Sequence, residues 1–462
     1  MNPDPLILAV SETRSSMEIQ IENRSQVATT DARDVALTCL EAGVDAGHPR
    51  RVIHDALSLE GDTLRVADAT YDCSAYDEVV VLGGGNAAAH VAAALEDVLG
   101  DRIDRGVVVT DDPTELEAVT VSEGDHPVPS ERGVAGTRRL LEAADTAGER
   151  TLVLAAITGG GSALMAAPAD GISLADLQAT TDALLESGAD IHEINAVRKH
   201  CSALKGGQLA RRLAPATVVA VVLSDVVDND LSVIASGPVA PDESTFDDAL
   251  AVVDRYDIDV PETVADRLER GRAGAISETP GPDDPVFDRV SNHIVADGMT
   301  VLEAAAEVAT EQGYDPLLLS SRVRGEAREA ATTHVAIGEE MLATGTPISP
   351  PAVLVSGGET TVTVSGDGCG GPNQEFVTSA ALSLEAGLTV AAVDTDGIDG
   401  ASDAAGGIVD AETVDTDKRA RAALAANDVT PYLAERNALI KTGPTGTNLN
   451  DLRVVVVEHS AH

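Results

Sequence analysis

The sequence predicts two α/β domains with mostly parallel sheets, and three observations predict them. Short apolar strands alternate with Ala-rich helices from about residue 31 onward, as in parallel sheets covered by helices. Glycine-rich turns join several strands to the helices that follow. A segment rich in Gly, Pro and Asp, residues 271–290, divides the pattern into two sets. Since ligands in such sheets lie at the carboxyl ends of the strands, we expect a functional cleft between the two domains.

Length and composition agree with this organisation. A chain of 462 residues is long enough for two or three domains. Aromatic residues make up only 2% and Trp is absent, so the cores must consist of Ala, Val, Leu and Ile, which suit buried parallel strands. We expect a disordered extension at residues 1–28, a larger N-terminal domain at 29–285 and a smaller C-terminal domain at 286–462.

The charge excludes several classes of protein. The chain has 77 acidic and 31 basic side chains and a net charge of −46, which argues against binding to nucleic acids or anionic membranes. No apolar run approaches the roughly 18 residues of a membrane span, and the start lacks the pattern of a signal peptide. The four cysteines form no CxxC pair, as expected of reduced thiols. In molar salt the Debye length falls to about 3 Å, so the repulsion between the many acidic side chains is largely screened. We therefore expect a cytoplasmic protein of a salt-accumulating organism.

The elements of the larger domain follow in order. Thr30 and Asp31 are suited to cap a first helix, which should end near Gly47. Three apolar strands then end in polar turns. Their sequences, with the turn and the following residues, are EVVVLGGGNAAAH, TLVLAAITGGGSALM and ATVVAVVLSDVVDND. Carboxyl ends of parallel strands share one edge of a sheet, so these three turns should lie together.

The smaller domain has the same alternation. Helices are predicted from Thr300 to about Glu311 and from Gly325 to about Leu342. The strands before, between and after them have the sequences HIVADG, PLLLSS, AVLVSGGETTVTVSG, LTVAAVDTDGIDG and LRVVVVE. These runs predict a second α/β layer whose loops also carry polar side chains.

Two glycine turns are candidate phosphate sites. Residues 83–88 follow a strand, open a helix and fit the loose GxGxxA form of the dinucleotide fingerprint, which indicates a Rossmann-like domain. Residues 158–162 repeat the arrangement with a hydroxyl, Ser162, at the helix start. Steric demands of a tight turn, or an ordinary N-cap, explain either turn alone. Two in one sheet favour a polyphosphate site, although no GxxxxGK[ST] P-loop is present.

A short basic stretch stands out against the acidic background. Two of the four lysines, Lys199 and Lys205, lie within seven positions of each other, next to Arg198 and the polar Asn195. A local salt-bridge patch is the alternative explanation. Cations retained in so acidic a chain favour an anionic ligand such as phosphate or carboxylate, and Lys205, followed by two glycines, is the stronger candidate.

Acidic and amide side chains provide the remaining candidates. Asp225 ends a strand directly and could hold Mg²⁺ or accept a proton, whereas solvation explains Asp228 and Asp230. In the second domain, polar side chains in glycine-rich turns could bind a small hydroxy-acid or a metal. These are Glu359, Thr360, Asn373, Gln374, Glu375, Asp394, Asp396 and Asp399. The DxDGxDG segment lacks the acid at position 12 and the flanking helices of an EF-hand.

The motifs together resemble those of the class II glycerate kinases, the glycerate 2-kinase family with a MOFRL domain. They match in order from about residue 31 to 455 and are HPVP at 126–129, GGGSAL at 159–164, SGAxI at 187–191, NxVRKH at 195–200, KGG at 205–207, SDV at 224–226, IASGP at 234–238, GGET at 357–360, NQE at 373–375 and TDGIDG at 395–400. With its acidic surface, the chain resembles a haloarchaeal member. The resemblance implies a Rossmann-like N-terminal domain, a C-terminal MOFRL domain and phosphorylation of D-glycerate at its 2-hydroxyl by ATP with Mg²⁺.

The resemblance also implies roles for residues of this chain. The catalytic candidates are Lys205, Asp225 and Arg198, and Asp225 is also the metal candidate. The nucleotide candidates are Gly83, Gly84, Gly85, Asn86, Gly159, Gly160, Gly161 and Ser162. The substrate candidates are Asn195, Glu359, Asn373, Glu375, Asp396 and Asp399. The chain departs from the family pattern at Asn86, where many relatives have a lysine proposed to be catalytic, and at Pro372, where many have an arginine.

Two other functions stay open on the sequence. An NAD(P)-dependent hydroxypyruvate reductase fits the GxGxxA turn followed by Asp111 and Asp112, but no conventional hydride-transfer His/acid pair is present. A non-catalytic nucleotide- or sugar-acid-binding relative fits the neutral Asn86. In every case we expect a small-molecule ligand, no nucleic-acid or membrane partner, and a possible homodimer.

Overall fold

The structure, a computed structural model, describes residues 19–414 and 417–458. Its α-helices, in chain order, are α1 (Arg24–Val27), α2 (Asp31–Ala46), α3 (Pro49–Ala56), α4 (Ala88–Leu99), α5 (Glu131–Ala144), α6 (Gly161–Leu164), α7 (Leu174–Glu186), α8 (Ile191–His200), α9 (Gln208–Leu213), α10 (Phe246–Arg255), α11 (Glu262–Arg272), α12 (Gly298–Glu311), α13 (Ala327–Thr344), α14 (Pro372–Ala380), α15 (Asp417–Ala425) and α16 (Val429–Ala434). Its strands are β1 (Leu57–Glu60), β2 (Thr63–Val66), β3 (Ala69–Asp72), β4 (Glu78–Gly84), β5 (Arg105–Thr110), β6 (Val119–Glu123), β7 (Thr151–Ile157), β8 (Thr217–Leu223), β9 (Val290–Ala296), β10 (Asp315–Glu326), β11 (Ala352–Thr361), β12 (Leu388–Asp394), β13 (Gly406–Asp410), β14 (Leu439–Ile440) and β15 (Asp451–Val457).

The chain divides into two compact units, so the α/β class and the two-unit organisation predicted from the sequence are confirmed. The central unit comprises residues 49–297, and the terminal unit comprises the described residues of 1–48 and 298–462. The central unit contains a six-stranded sheet in the order β6-β5-β4-β7-β8-β9, with every neighbouring pair parallel. A small antiparallel sheet, β1-β2-β3, accompanies it.

Burial on both faces explains why the central strands are apolar throughout. All seven residues of β7 are buried, and its neighbours β4 and β8 are buried except at their first residues. Parallel strands covered by helices on both faces have this unbroken apolar pattern. The sheet therefore holds the three polar turns at the carboxyl ends of β4, β7 and β8 in a fixed arrangement.

The second sheet corrects one part of the predicted fold. Its order is β10-β11-β15-β12-β13-β14, and only β10 and β11 run parallel. The expectation of a mostly parallel sheet is therefore wrong for the terminal unit. Buried strands such as β12 and β15 read as apolar runs in either orientation, so composition alone could not decide their direction.

The first long helix belongs to the terminal unit, which moves the predicted domain boundary. Helix α2, expected within the 29–285 domain, packs against α12, β15 and β12. Arg33 pairs with Asp410 at 2.6 Å, and Thr447 donates a hydrogen bond of 2.7 Å to the carbonyl of Gly47. Helix α2 is adjacent in sequence to the 29–285 region, but its apolar face is buried against the sheet of the terminal unit.

The other boundary also shifts. Strand β9, which we expected to begin the 286–462 domain, completes the parallel sheet of the central unit beside β8. The preceding Gly- and Pro-rich segment folds back onto that unit, because Asp242 accepts a hydrogen bond of 2.9 Å from Thr279 and donates its backbone N–H to the carbonyl of Pro280. The segment is thus part of the central unit, and the units divide at residues 297 and 298.

The predicted N-terminal extension lies partly outside the described residues, which begin at residue 19. The described part, residues 19–28, is ordered: it contains α1, and Ile21 is buried. The backbone N–H of Glu22 donates to the carbonyl of Lys441 at 2.8 Å, and Arg24 pairs with Glu41. Disorder is therefore wrong for these ten positions.

Among the described residues, none of the helices combines the length and apolarity that crossing a membrane requires.

Candidate functional site

The two glycine turns of the central unit lie side by side. Strands β4 and β7 pair in parallel up to Gly84 and Ile157, so the turns that follow them leave the sheet at the same edge. The backbone N–H of Asn86 donates to the carbonyl of Gly159 at 2.8 Å and ties the first turn to the second. The sequence prediction that these turns meet is confirmed.

Asn86 bridges the second turn and an acid from the next strand. Its amide nitrogen donates to both carboxylate oxygens of Asp111, at 3.0 and 2.8 Å. Its Oδ1 lies against Gly160, where φ is +73° and where any Cβ atom would collide with that oxygen. Within the described part of the chain, Oδ1 has no hydrogen-bond partner. Glycine is therefore required at 160 both for the left-handed backbone and for space.

Asp225 joins this edge from the third strand. It is the second residue after the end of β8, and its carboxylate lies so close to Gly159 that a Cβ atom there would collide with Oδ2. The structure thus brings together Asn86, the second glycine turn and Asp225, as the sequence predicted.

A buried chain of hydroxyl and amide groups continues from the second turn. The hydroxyl of Ser162 is 2.8 Å from that of Ser236, and Ser236 donates to Oδ1 of Asn195 at 3.0 Å. Asn195 is only 2% exposed, and its Nδ2 has no partner among the described residues. A buried amide N–H₂ without an acceptor is costly, so this group is a donor in need of an oxygen.

Two cations lie beside the same turn. The ammonium of Lys205, 4% exposed, donates to the carbonyl of Ser162 at 2.8 Å. Burial first, and then the charge of Arg198, lowers the pKa of Lys205 to about 7; burial also lowers the pKa of Arg198. Across residues 19–414 and 417–458, neither forms an ion pair with a carboxylate, whereas Lys199 pairs with the buried Asp242 at 3.2 Å. Lys205 and Arg198 are thus the cations left to a ligand.

A second polar cluster lies in the terminal unit, and several predicted substrate residues are bound to the scaffold there. Asp399 is fully buried and accepts the backbone N–H groups of Asn373 and Gln374 at 2.9 and 2.8 Å, so it caps the start of α14. The Asn373 side chain donates to Asp451 at 2.6 Å. Burial raises the pKa of Asp399 to about 6.

Glu375 is likewise held by the scaffold. Its carboxylate accepts from Arg328 at 2.6 Å and from the side chain of Asn427 at 2.8 Å, and it is 2% exposed. Asn373, Glu375 and Asp399 therefore organise the terminal unit locally.

The other two substrate candidates of the terminal unit are more accessible. Glu359 is exposed near the end of β11. Asp396 is half-buried, and its carboxylate accepts a hydrogen bond of 2.8 Å from the backbone N–H of Ile398.

The cluster also contains Arg453 and Asp451, which the sequence did not indicate as candidates, beside the candidates Thr360 and Asp394. Arg453 is fully buried, pairs with Asp451 and donates to Thr360 at 2.8 Å, while its Nε and Nη1 lack partners within the described residues. Burial and the charges of Asp396 and Asp451 raise the pKa of Asp394 well above its ordinary value. The signal was visible: an arginine interrupts the otherwise apolar run LRVVVV of β15.

Metal binding was predicted at Asp225. In the described ranges, no three His, Cys, Asp or Glu side chains are grouped as a protein-enclosed metal centre requires. A nucleotide-bound Mg²⁺ needs only one or two carboxylates besides phosphate oxygens and water. The single carboxylate of Asp225, placed on the second glycine turn, fits that mode.

Known proteins resemble this chain in sequence and fold over most of its length. Residues 35–269 match DUF4147, a domain of unknown function, and residues 352–451 match the MOFRL family. The chain is 40% identical to a glycerate 2-kinase of Pyrococcus horikoshii over 92% of its length and 98% of that protein. It is also 40% identical to a putative hydroxypyruvate reductase of Agrobacterium vitis, over 82% of this chain and 87% of that protein. The crystal structure of a Thermotoga maritima glycerate kinase superposes with a TM-score of 0.81 at 38% identity, covering 92% of this chain and 99% of that one.

Proposed function

This chain belongs to the glycerate 2-kinase family, and we propose that it transfers the γ-phosphoryl group of ATP to the 2-hydroxyl of D-glycerate, giving 2-phosphoglycerate. The observation that carries the proposal is the pair Lys205 and Arg198, buried or half-buried beside a glycine turn and left without carboxylate partners in the described structure. In a chain with 77 acidic residues, such cations point to an anionic ligand.

Phosphoryl transfer requires mainly positioning and neutralisation of charge. The backbone at Gly159–Ser162 binds phosphate oxygens, and Lys205 and Arg198 offset the negative charge of the transferred group. The first turn supports the second instead of binding phosphate, because Gly83 and Gly84 lie within β4 and the N–H groups of Gly85 and Asn86 already donate to the carbonyls of Val109 and Gly159. Asn195 donates its free N–H₂ to a substrate oxygen. Asp225 orients the 2-hydroxyl or accepts its proton.

A bound Mg²⁺ would supply positive charge against the phosphates. Asp225 is the residue of this chain that would hold it. From the terminal unit, Glu359 and Asp396 are the substrate candidates with solvent-accessible side chains, since the other predicted ones are engaged in scaffold contacts. The cleft between the domains stays a prediction.

The two residues that depart from the family pattern, Asn86 and Pro372, are each accommodated by their local surroundings. Asn86 takes the place of a lysine, and its amide is fixed by Asp111. Pro372 takes the place of an arginine and opens α14, where a residue without a backbone N–H donor is well accommodated. Lys205 supplies the positive charge that Asn86 lacks.

The test is a reaction containing the purified chain, ATP, Mg²⁺ and D-glycerate, with enolase as the reporter. Enolase dehydrates 2-phosphoglycerate but not 3-phosphoglycerate, so the product signal should appear without added phosphoglycerate mutase. Signal that appears only with the mutase would place the phosphoryl group on the 3-hydroxyl. Absence of both signals would overturn the kinase proposal.

Hydroxypyruvate reduction is the second candidate, favoured by the name of the Agrobacterium vitis relative. Oxidation of NADH or NADPH by hydroxypyruvate, measured on the same preparation without ATP, would support it. The non-catalytic alternative predicts calorimetric binding of ATP or glycerate without turnover, and Asn86→Lys would then restore activity.

The acidic surface supports a setting of concentrated salt in a cytoplasm. With a net charge of −46, the acidic side chains repel one another strongly in dilute buffer, and molar salt screens this repulsion. The melting temperature should therefore rise steeply with KCl concentration. A melting temperature independent of salt would contradict this setting, and light scattering in the same buffers would test the predicted homodimer.

A further inference from the structure

The segment that follows β8 has an unusual backbone. Ala235, Ser236 and Gly237 have φ values of +50°, +60° and +63°, so three successive residues adopt the left-handed conformation and two of them are not glycine. Left-handed backbone is unfavourable for residues with a Cβ atom and is retained mainly where the surroundings demand it. Ser236 is also completely buried. A glycine at this position would relieve the backbone, so the serine is retained for its hydroxyl.

That hydroxyl has two neighbours. Ser236 donates its proton to Oδ1 of Asn195 at 3.0 Å, so the 2.8 Å contact with Ser162 must use the proton of Ser162. The order Ser162 to Ser236 to Asn195 fixes the amide orientation of Asn195. Its Nδ2, which has no partner in the described structure, therefore faces away from Ser236.

The surroundings of Asn195 define what the free N–H₂ can bind. Arg198 lies one helical turn further along α8, and Lys205 donates to the carbonyl of Ser162, the same residue that begins the hydrogen-bonded chain. With two cations nearby, the acceptor that satisfies the amide is an anionic oxygen, either of a phosphate or of a carboxylate.

We propose that Ser236 is a positioning residue that holds the Asn195 amide so that its N–H₂ donates to an oxyanion of the bound substrates. The proposal rests on the proposed function for the identity of those substrates. The oxyanion belongs either to the nucleotide phosphates or to the carboxylate of glycerate, and separate measurements of the two ligands decide between them.

The test uses two substitutions that remove the same hydroxyl. Ser236→Ala keeps the Cβ atom and its backbone strain, whereas Ser236→Gly removes both. If the hydroxyl positions Asn195, both variants should lose about 10- to 100-fold in kcat/KM, the range of one hydrogen bond to a charged group. Asp257→Gly is the matched control, because Asp257 is an exposed residue of the central unit with φ +51°. It should relieve the same kind of strain without changing kinetics.

Separate measurements with ATP and with D-glycerate identify which substrate supplies the oxyanion. A higher dissociation constant for ATP with an unchanged KM for D-glycerate assigns the oxygen to phosphate, and the reverse assigns it to the carboxylate. Asn195→Ala should show the same pattern and add little to Ser236→Gly, since the two act as a unit. If Ser236→Ala fails to fold, Ser236→Gly gives the answer.

Kinetics of both Ser236 variants within two-fold of the parent chain would overturn this inference while leaving the kinase intact. A parent chain without turnover would overturn the proposed function instead. Calorimetry with ATP and with D-glycerate would then still decide the role of Ser236, since equal affinities of the parent chain and Ser236→Gly for both ligands would overturn it.

Discussion

The two polar clusters of this molecule have opposite imbalances of charge. In the central unit, Lys205 and Arg198 are withdrawn from water without an acidic partner in the described residues. In the terminal unit, the carboxylates of Asp394, Asp399 and Asp451 are gathered around the buried guanidinium of Arg453. Both clusters are buried, yet only one is supplied with compensating contacts from its own chain.

The cluster of the central unit is the one that requires a ligand. The carboxylates of the terminal unit accept backbone N–H groups, pair with Arg453, or bind protons more readily because their pKa values are raised. Among the described residues, Lys205 has only carbonyl oxygens within hydrogen-bond reach. An unmatched buried charge is unfavourable unless something neutralises it, and for the central unit that is an incoming anion.

Of the substitutions considered, replacement of Asp225 should reduce activity the most. Asp225→Asn should lower kcat by about 10²- to 10⁴-fold, since it removes the group proposed to accept the hydroxyl proton or to hold the metal. Asp228→Asn is the matched control, because Asp228 is exposed in the same segment and we expect only solvation there. Equal losses in the two variants would mean that the segment acts through its structure alone.

Arg453→Met should affect stability rather than chemistry. It leaves Asp451 and its neighbours without their buried cation, which should cost about 3–5 kcal/mol of unfolding free energy. Urea unfolding followed by circular dichroism measures this loss. Arg322→Met, at an exposed position of β10, should change stability by no more than about 0.5 kcal/mol. A small effect of Arg453→Met would mean that the acids are neutralised by protons.

Lys205→Met should have the opposite signature. Removing the cation should lower kcat/KM by about 10²- to 10³-fold, as for loss of one electrostatic contact to the reacting group. Unfolding free energy near pH 7 should stay equal or rise, because the lowered pKa of Lys205 shows that the fold disfavours its charged form. Lys418→Met, at an exposed position, should alter neither quantity. Lost stability without lost activity would assign Lys205 a structural role.

The pH dependence should show the smallest effect. With a pKa of about 7 in the free protein, Lys205 is protonated below this pH and loses its charge above it. Since the charged form binds phosphate, kcat/KM for ATP should fall about tenfold per pH unit on the alkaline side, and it reports the free enzyme. The limb should disappear in Lys205→Met. A flat profile between pH 7 and 9 would show that the charge of Lys205 is not used.

Much of the central site was predictable because order along the chain and position at strand ends determine it. The glycine turns and Asp225 all follow apolar runs, and parallel strands bring such ends together. Lys205 was recognisable because lysine is so rare here.

The missed features depend on long-range packing. Nothing local reveals that α2 packs on β15 or that β12 and β15 are antiparallel. Asp399 was predicted to bind substrate, and the structure shows a cap of α14, because a carboxylate in a glycine-rich turn has the same sequence in either role. The role of the Ser236 hydroxyl was not predictable from the sequence, because the argument for it depends on the left-handed backbone at this position.

Binding of an anionic substrate by Lys205 can be measured directly, because lysine is so scarce in this chain. With only four lysines in the chain, ¹³C-lysine labelling gives four side-chain resonances that substitution can assign. Adding ATP should shift the Lys205 resonance and raise its pKa from about 7, while Lys418 and Lys441 stay unchanged. A Lys205 resonance that ignores saturating ATP, in a preparation that still phosphorylates D-glycerate, would contradict the claim that this buried cation binds the anionic substrate.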